Sequence, residues 1–593
     1  MAKLEAPEVA TLLAEYGRRS ALRGDNPYRS KAYIRAAENL AAVSEPLERM
    51  DEGRLQEIPG VGDAIADIVA KLHRTGTHPS LEKLRQEVPG GVLEMLSIPG
   101  LRPDKVLKLH RELGINSVDE LEAAVKQDRL KTIKGLGSAL QRKIQQGIEI
   151  RRTSKGSLHV HRAAALLDAA KKNLARSDLD LTHISDAGDF RRGSELVSDL
   201  ALVAQSARLE NGPTVLKKGT LSVYLTDQKR YGITHLLATG SGDHLDELHK
   251  LAKNKGLEVT KDGLRRGKKV IAGESESEIY KALGLQFIEP ELREGRGEIA
   301  LAAAKRLPKL VTDRDIRGIL HAHTDRSDGV DTLEQMAEAT RKRGYEYFGV
   351  ADHSKSAYYA GGLSVEEIAE QKAEADRLNK TYDGGKFRIL RGIESDILAD
   401  GSLDYPDDIL GRFDFIVASV HGQFRKDKKE QTERILRAVR NPFVTILGHM
   451  TGRQLLRRLG YEVDIERILR ACAEHHVAVE INANPWRLDL DWRWHGRALE
   501  LGCMMSINPD AHSRSEIDLT HWGVEMARKG GVPSDRVLNA MDLSTITEWL
   551  LQRRRSLGLS VALRKPRRGS PSAKHPGSGQ RVRSSISPSG PRS

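Results

Sequence analysis

RGILHAHTDRSDG, Arg317 to Gly329, decides how the C-terminal half of this chain is read. A short apolar run ends in His321 and His323, and Asp328 follows at once. Two residues apart on a strand, both imidazoles project to one face. Outward from there the pattern recurs, short apolar strands alternating with helical segments and ending in ligand-type side chains. YFGVADHS supplies Asp352 and His353; ILRGIESDIL supplies Glu394 and Asp396. FDFIVASVHGQF ends in His421, VTILGHMTGR in His449. VAVEINANPWRLDLDW carries Glu480, Asn482 and Asn484, and MMSINPDAHS repeats the alternation with Asp510 and His512. Alternating strands and helices of this kind predict a βα barrel, whose strand ends hold the active site. A lone histidine at a strand end is usually structural; six histidines and three carboxylates there predict metal binding.

These motifs resemble the polymerase-and-histidinol-phosphatase (PHP) domain, a distorted (β/α)7 barrel with a trinuclear metal centre. The resemblance implies that His321, His323, Glu394 and Asp510 hold a first divalent cation. Glu394 would bridge to a second completed by His421 and His449, and Asp328, His353 and His512 would hold a third. Manganese, zinc or iron suits such a mixed set. Glu394, Asp510, His512 and Arg453 are the candidate catalytic residues. Asp352, Asp396 and Asn482 are candidates for orienting ligands or substrate, and Arg453 and Arg487 for touching a phosphate.

The first 150 residues are helical and carry three similar stretches, IPGVGDAIADIVAKL (58–72), IPGLRPDKVLKLHREL (98–113) and IKGLGSALQRKIQQGI (133–148). Each is a glycine turn followed by an amphipathic helix, the helix-hairpin-helix pattern. Gly60, Gly62, Gly100, Gly135 and Gly137 would let backbone N–H groups at a helix N-terminus approach a DNA phosphate. Binding of that kind is sequence-independent. Arg102 replaces the second glycine of the middle copy. Arg29, Lys31 and Arg35 add charge to the same region.

Between hairpins and barrel, DAGDFRRGSELVSDLALVAQ (186–205) reads as a glycine turn and a strand bearing Asp199. With the hairpins, TGSGDHLDELHKLAKNKGLEV (239–259) and EIYKALGLQFIEPELREGRGEI (278–299), it resembles a bacterial-type family X DNA polymerase. That resemblance implies a nucleotidyltransferase-like palm in which paired aspartates hold magnesium. Here Ala201 stands at the second aspartate position and Ser222 at the third. Asp189 replaces a phosphate-gripping serine beside Arg191 and Arg192, and Leu237 and Ala238 replace an aromatic pair. The expectation is a palm without polymerase activity, and no magnesium held there.

The implied division is two hairpin regions (1–88 and 89–154), a degenerate palm (155–240), a thumb-like region (241–310), the PHP barrel (311–557) and a disordered basic tail (558–593). The overall class is multidomain α+β. No run approaches ~18 apolar residues, so no membrane span is expected, and two cysteines suit a reducing cytoplasm, with the nucleoid as the expected location. From Arg553 onward there are eleven Lys and Arg and no acid, nearly all of the net charge of +12. DNA with gaps or 3′ ends is the expected partner, and a monomer is assumed. The expected activity is metal-dependent 3′→5′ exonuclease in DNA repair. The alternatives are a small-molecule phosphatase, an intact polymerase using Asp199 with further ligands such as Asp189 or Asp227, and a nonenzymatic DNA-end scaffold.

Overall fold

The computed structural model describes residues 3–559 except 42, 44–46, 134–135, 155, 178, 207–208, 210–212 and 383–384. Gly135 and residues 560–593, the body of the expected tail, therefore lie outside the described residues.

The front is built from short helices with two small cores. Helix α1 (Ala6–Arg23) buries Val9 and Leu13 one turn apart, and α2 (Asp63–Thr75) buries Ile65, Ile68, Val69 and Leu72 at helical spacing. The three glycine turns share one closing hydrogen bond. Val61 N–H donates to Ile58 C=O, Leu101 to Ile98 and Leu136 to Ile133, at 3.0, 3.1 and 3.0 Å. Gly60 and Gly100 sit at φ +83° and +80°, the third position of a type II turn after proline, where only glycine is unstrained. Helices α2, α3 (Pro103–Leu113) and α4 (Ser138–Thr153) then start at Gly62, Arg102 and Gly137.

The palm sheet has strands β1 (Leu181–Ala187), β2 (Leu200–Ser206), β3 (Thr214–Lys218) and β4 (Leu221–Thr226) in the order β1-β2-β4-β3. Central β2 runs parallel to β4 and antiparallel to β1. Its continuous apolar run, Leu200 to Ala204, is buried on both faces, as a central strand requires. Asp199 is not on the strand as expected: it lies exposed in the bend just before β2. The thumb region adds a three-stranded antiparallel meander over 258–272 and helices packed on Ile233, Leu236, Leu248 and Ile279.

The C-terminal domain is a barrel of seven parallel strands: β5 (Gly318–Ile319), β6 (Tyr347–Val350), β7 (Arg388–Arg391, continued by Glu394–Asp396), β8 (Val417–Ser419), β9 (Ile446–Leu447), β10 (Ala478–Asn482) and β11 (Met505–Asn508). Each pairs with the next, and a parallel bridge between Ala322 and Ala511 closes the ring. The final helix, α5 (Leu543–Ser556), covers the end opposite the site. Arg553 and Arg554, counted with the tail by charge alone, are 7% and 6% exposed there. Arg553 donates to the carbonyls of His476, Pro442 and Val444, and Arg554 to those of Phe413 and Gly411, all just before barrel strands. They are part of the barrel, because free C=O groups at a buried strand start need donors.

Candidate metal centre

All nine residues that the strand-end pattern singled out meet at the carboxyl end of the barrel. Glu394 is 1% exposed and lies at the middle. Its Oε1 is 3.0 Å from His449 Nε2, 3.2 Å from His421 Nε2 and 3.4 Å from His321 Nε2. Its Oε2 is 3.0 Å from His353 Nδ1 and 3.7 Å from His323 Nε2. Asp510 Oδ1 lies 3.1 Å from His323 Nε2 and 3.6 Å from His321 Nε2. Asp328 Oδ1 is 3.3, 3.5 and 3.7 Å from His512 Nε2, His353 Nε2 and His323 Nδ1. Asp510 holds φ at +52°, the left-handed region, a strained setting that aspartate tolerates and that functional sites retain.

Three groups bring ligand atoms within 4.8 Å of one another: His321, His323 and Asp510; His353, Glu394 and His421; and His323, Asp328, His353 and His512. They overlap the three sets that the resemblance implies, with His353 standing beside Glu394 and His421 where His449 was expected. The donor chemistry fits divalent cations. His321 Nε2, His323 Nδ1, His353 Nδ1 and Glu394 Oε1 are buried without a hydrogen-bond partner. Buried polar atoms left unpaired are costly, and four aimed into one cluster are accounted for by cations that join them.

Charge at the site follows the same logic. Burial pushes the Glu394 carboxyl up, but the imidazoles of His421, His321 and His353 outweigh it and hold the group well below the usual carboxylate range. Asp510 is lowered likewise by His321 and His323, and Asp328 by its hydrogen bonds to His353 and His512. Burial alone would lower the imidazoles. Glu394 and Asp328 instead raise His353 to about 10, Glu394 and Asp396 raise His421 to about 9, and Asp328 and Asp510 raise His512 to about 9. His323, fully buried between His353 and His512, is pushed down to about 4. This cluster of carboxylates demands positive charge.

A second ring of bonds fixes the ligands. His421 Nδ1 meets Asp396 Oδ1 at 2.6 Å, and Asn482 Nδ2 donates to Asp510 Oδ2 at 3.1 Å. Asp352 accepts from Thr324 N, Ser327 Oγ and Gln371 Nε2, bracing the loop that carries Asp328. Such partners set tautomer and ring orientation. Glu480, to which the sequence reading gave no role, meets His321 Nδ1 at 2.6 Å and accepts from His449 N and Asn508 Nδ2. Its two-residue spacing from Asn482 was the available signal. Arg487 Nε stands 3.6 Å from Asp510 Oδ2. Arg453, expected among the catalytic groups, is placed otherwise. It donates to Asp491 at 2.7 Å and to the carbonyls of Arg487 and Leu488, bracing the loop that holds Arg487.

The palm brings no such cluster together among the described residues. Ala201 is 4% exposed and is the Cα partner of Ser222, so the second and third expected positions do stand side by side, without carboxylates. Asp189 pairs with Arg192 at 2.5 Å and accepts from Ser198 N. Arg192 also reaches Glu294, and Arg191 forms a two-pronged pair with Glu276 at 2.8 and 2.6 Å. Asp227 is held by Arg230. In the hairpins, Gly60, Gly62, Gly100 and Gly137 are exposed; a Cβ on Gly62, Gly100 or Gly137 would meet open space, and one on Gly60 would stand 3.9 Å from Arg35 and Ala36. Arg102 is 73% exposed in its side chain, 3.4 Å from Asp104.

Comparison with known proteins follows the same order along the chain. Family models match for a helix-hairpin-helix domain (residues 5–78), a SAM-like helix-hairpin-helix tandem (92–149), a DNA polymerase beta thumb (234–294) and a PHP domain (320–484). A probable phosphatase of Thermoanaerobacter sp. (strain X514) is 27% identical over 255 residues, 40% of this chain and 96% of that protein. One of Vibrio campbellii is 28% identical over 229 residues, 37% of this chain and 86% of that protein. The DNA polymerase/3'-5' exonuclease PolX of Bacillus subtilis (strain 168) is 33% identical over 561 residues, 89% of this chain and 96% of that protein. Spanning nearly all of that protein, and carrying hairpins, thumb and PHP barrel in one order, the chain belongs to the bacterial PolX family.

Proposed function

We propose that this protein is a DNA-binding phosphodiesterase that shortens strands from their 3′ ends, with the chemistry in the PHP barrel and none in the palm. The observation that carries the reading is the convergence of nine ligand side chains, Glu394 at the middle, with buried ligand atoms left unpaired. His321, His323, Asp328, His353, Glu394, His421, His449, Asp510 and His512 would hold divalent cations, three by the count of ligand groups, manganese, zinc or iron by donor type. Bound there, such cations supply an activated water and positive charge for the phosphoryl oxygens. The chain's own residues do the rest. Glu480, Asp396 and Asn482 fix the ligands, and Arg487 adds a guanidinium beside Asp510 where a phosphate oxygen can be met.

The palm reading rests on Ala201 and Ser222, and on the two arginines that already hold carboxylates of their own. The frame remains as a body that carries DNA to the barrel. A small-molecule phosphatase would use the same centre but give the hairpins nothing to do; the two barrel-length relatives are named as probable phosphatases.

The test is a 5′-labelled gapped duplex with Mn²⁺, with and without dNTPs. Progressive shortening supports the reading, and extension refutes the palm assignment. The His321→Ala/His323→Ala variant should lose cleavage and keep DNA binding. Normal cleavage by that variant, or faster hydrolysis of a generic phosphate monoester than of DNA, sinks the nuclease reading.

A further inference from the structure

A cleft of about 1040 Å³ separates hairpin helix α4 from the rim of the barrel. Arg142 and Lys143, in the second turn of α4, line one side. Arg425, Lys426 and Arg458 line the other, against two carboxylates, Glu430 and Glu462. The barrel side is tied to the candidate centre by the chain itself, since Gln423 to Lys426 begin two residues after His421. Its shape is fixed: Phe424 stacks on Tyr461 at 5.8 Å, Arg458 lies 4.6 Å over the Phe424 ring, and Arg458 also donates to Gly452 C=O.

Several arginines elsewhere on the surface are held by carboxylates. Arg326 holds Glu370 and Glu374, Arg497 holds Glu466 and Glu500, and Arg343 holds Asp518. Arg142, Lys143, Arg425 and Lys426 have no ion-pair partner among the described residues. Unpaired like charges gathered in a cleft raise the local concentration of a polyanion. The volume is that of a site for a drug-sized ligand, enough for a few nucleotides of one strand. A full turn of duplex, with a major groove about 12 Å wide and about 8.5 Å deep, occupies far more volume than that.

We propose that this cleft is a track for a single DNA strand, whose phosphates lie between Arg142/Lys143 and Arg425/Lys426 while its 3′ end reaches the ligand cluster past His421. The proposal rests on the nuclease reading above and adds the route and strandedness of the substrate.

The test is binding of a 5′-fluorescein single-stranded oligodeoxythymidylate by the full chain in chelator, followed by anisotropy across a salt series. For single strands each phosphate contact contributes about 0.7 to the log–log salt slope. Arg142→Gln/Lys143→Gln and Arg425→Gln/Lys426→Gln should each lower the slope by about 1.4 and weaken binding about tenfold. Lys428→Gln/Lys429→Gln removes the same charge from exposed positions outside the cleft and should leave the slope as it is. Thermal melts show whether each variant is folded. Cleft variants with the unaltered slope overturn the proposal, as does an equal loss in the Lys428/Lys429 variant or equal competition by blunt duplex. A protein that binds through the cleft but shortens no strand with Mn²⁺ sinks the nuclease reading and leaves the track standing.

Discussion

His321 Nδ1 and Glu480 Oε1 stand 2.6 Å apart with both side chains fully buried. The carboxylate accepts a hydrogen bond from Nδ1–H and so presents the Nε2 lone pair to the cluster, where it has no hydrogen-bond partner. Glu480→Gln keeps the shape and removes the charge that holds this tautomer. Metal affinity and DNA hydrolysis should both fall by about 10- to 100-fold. Metal titration and a cleavage time course read the two effects separately. An unchanged affinity would mean that Glu480 does not orient His321.

Removing metal should destabilise the barrel more than the hairpins. Anything bound only by the folded state stabilises it, by about 2.7 kcal/mol at a hundredfold excess over Kd. The nine ligands come from six of the seven strands, all but β10, so cations there tie most of the ring. Chelation should lower the melting temperature, and Mn²⁺ should restore it. In the His321→Ala/His323→Ala variant, Mn²⁺ should raise it less.

Glu276 sets an acid limit on the palm and thumb. Burial pushes its carboxyl up, but hydrogen bonds and charge from Arg191 and Arg293 outweigh that and hold it at about 2. A folded-state pKa below the usual 4.5 contributes stability at higher pH that is lost as pH falls from about 4.5 toward 2. The full contribution is about 3 kcal/mol. Glu276→Gln should cost about that much at neutral pH, because Arg191 and fully buried Arg293 would face each other uncompensated. Denaturant melts should show the gap between the two proteins closing below about pH 4.5. A gap that persists at pH 2 would show that packing, not charge, is what the substitution removes.

Restoring one carboxylate to the palm should not restore polymerisation. Ala201 packs with Ala187 and Val203, and its Cβ is 3.1 Å from where a Cβ on Gly188 would stand. Ala201→Asp buries a charge with no partner opposite, since its neighbour across the sheet is Ser222. The expected cost is several kcal/mol in a thermal melt, with no primer extension. Efficient nucleotide incorporation by this single variant would refute the palm reading.

Local chemistry was legible in the sequence, and long-range pairing was not. The first two hairpin turns announce themselves because Pro-Gly fixes two adjacent backbone conformations. The ligands announce themselves because a strand end is a local event. Glu480 was missed as an orienting group because β10 is buried throughout, so its alternation marks no outer face. Arg191 and Arg192 read as a phosphate grip, but their partners Glu276 and Glu294 lie 85 and 102 residues away. Arg553 and Arg554 read as tail for the same reason: the carbonyls they serve are more than 70 residues distant.

That long-range pairing predicts how the domains melt. Trp492 Nε1 donates to Glu195 Oε2 at 2.9 Å, tying barrel to palm. Lys529, 4% exposed, donates to Glu294 at 2.5 Å and to Arg192 C=O at 2.9 Å, and its Nζ lies 4.6 Å over the Trp492 ring. The two side chains thus form one contact reaching palm, thumb and barrel. Lys529→Met keeps most of the volume but leaves Arg192 C=O without this donor. Trp492→Phe leaves Glu195 held by Arg493 alone on the barrel side. Each loss is worth about 1–3 kcal/mol. Scanning calorimetry should show palm and barrel unfolding together in the unaltered protein and separately in the double variant. A single transition in that variant would mean that the Arg528–Glu291 pair and surrounding packing couple the domains without them.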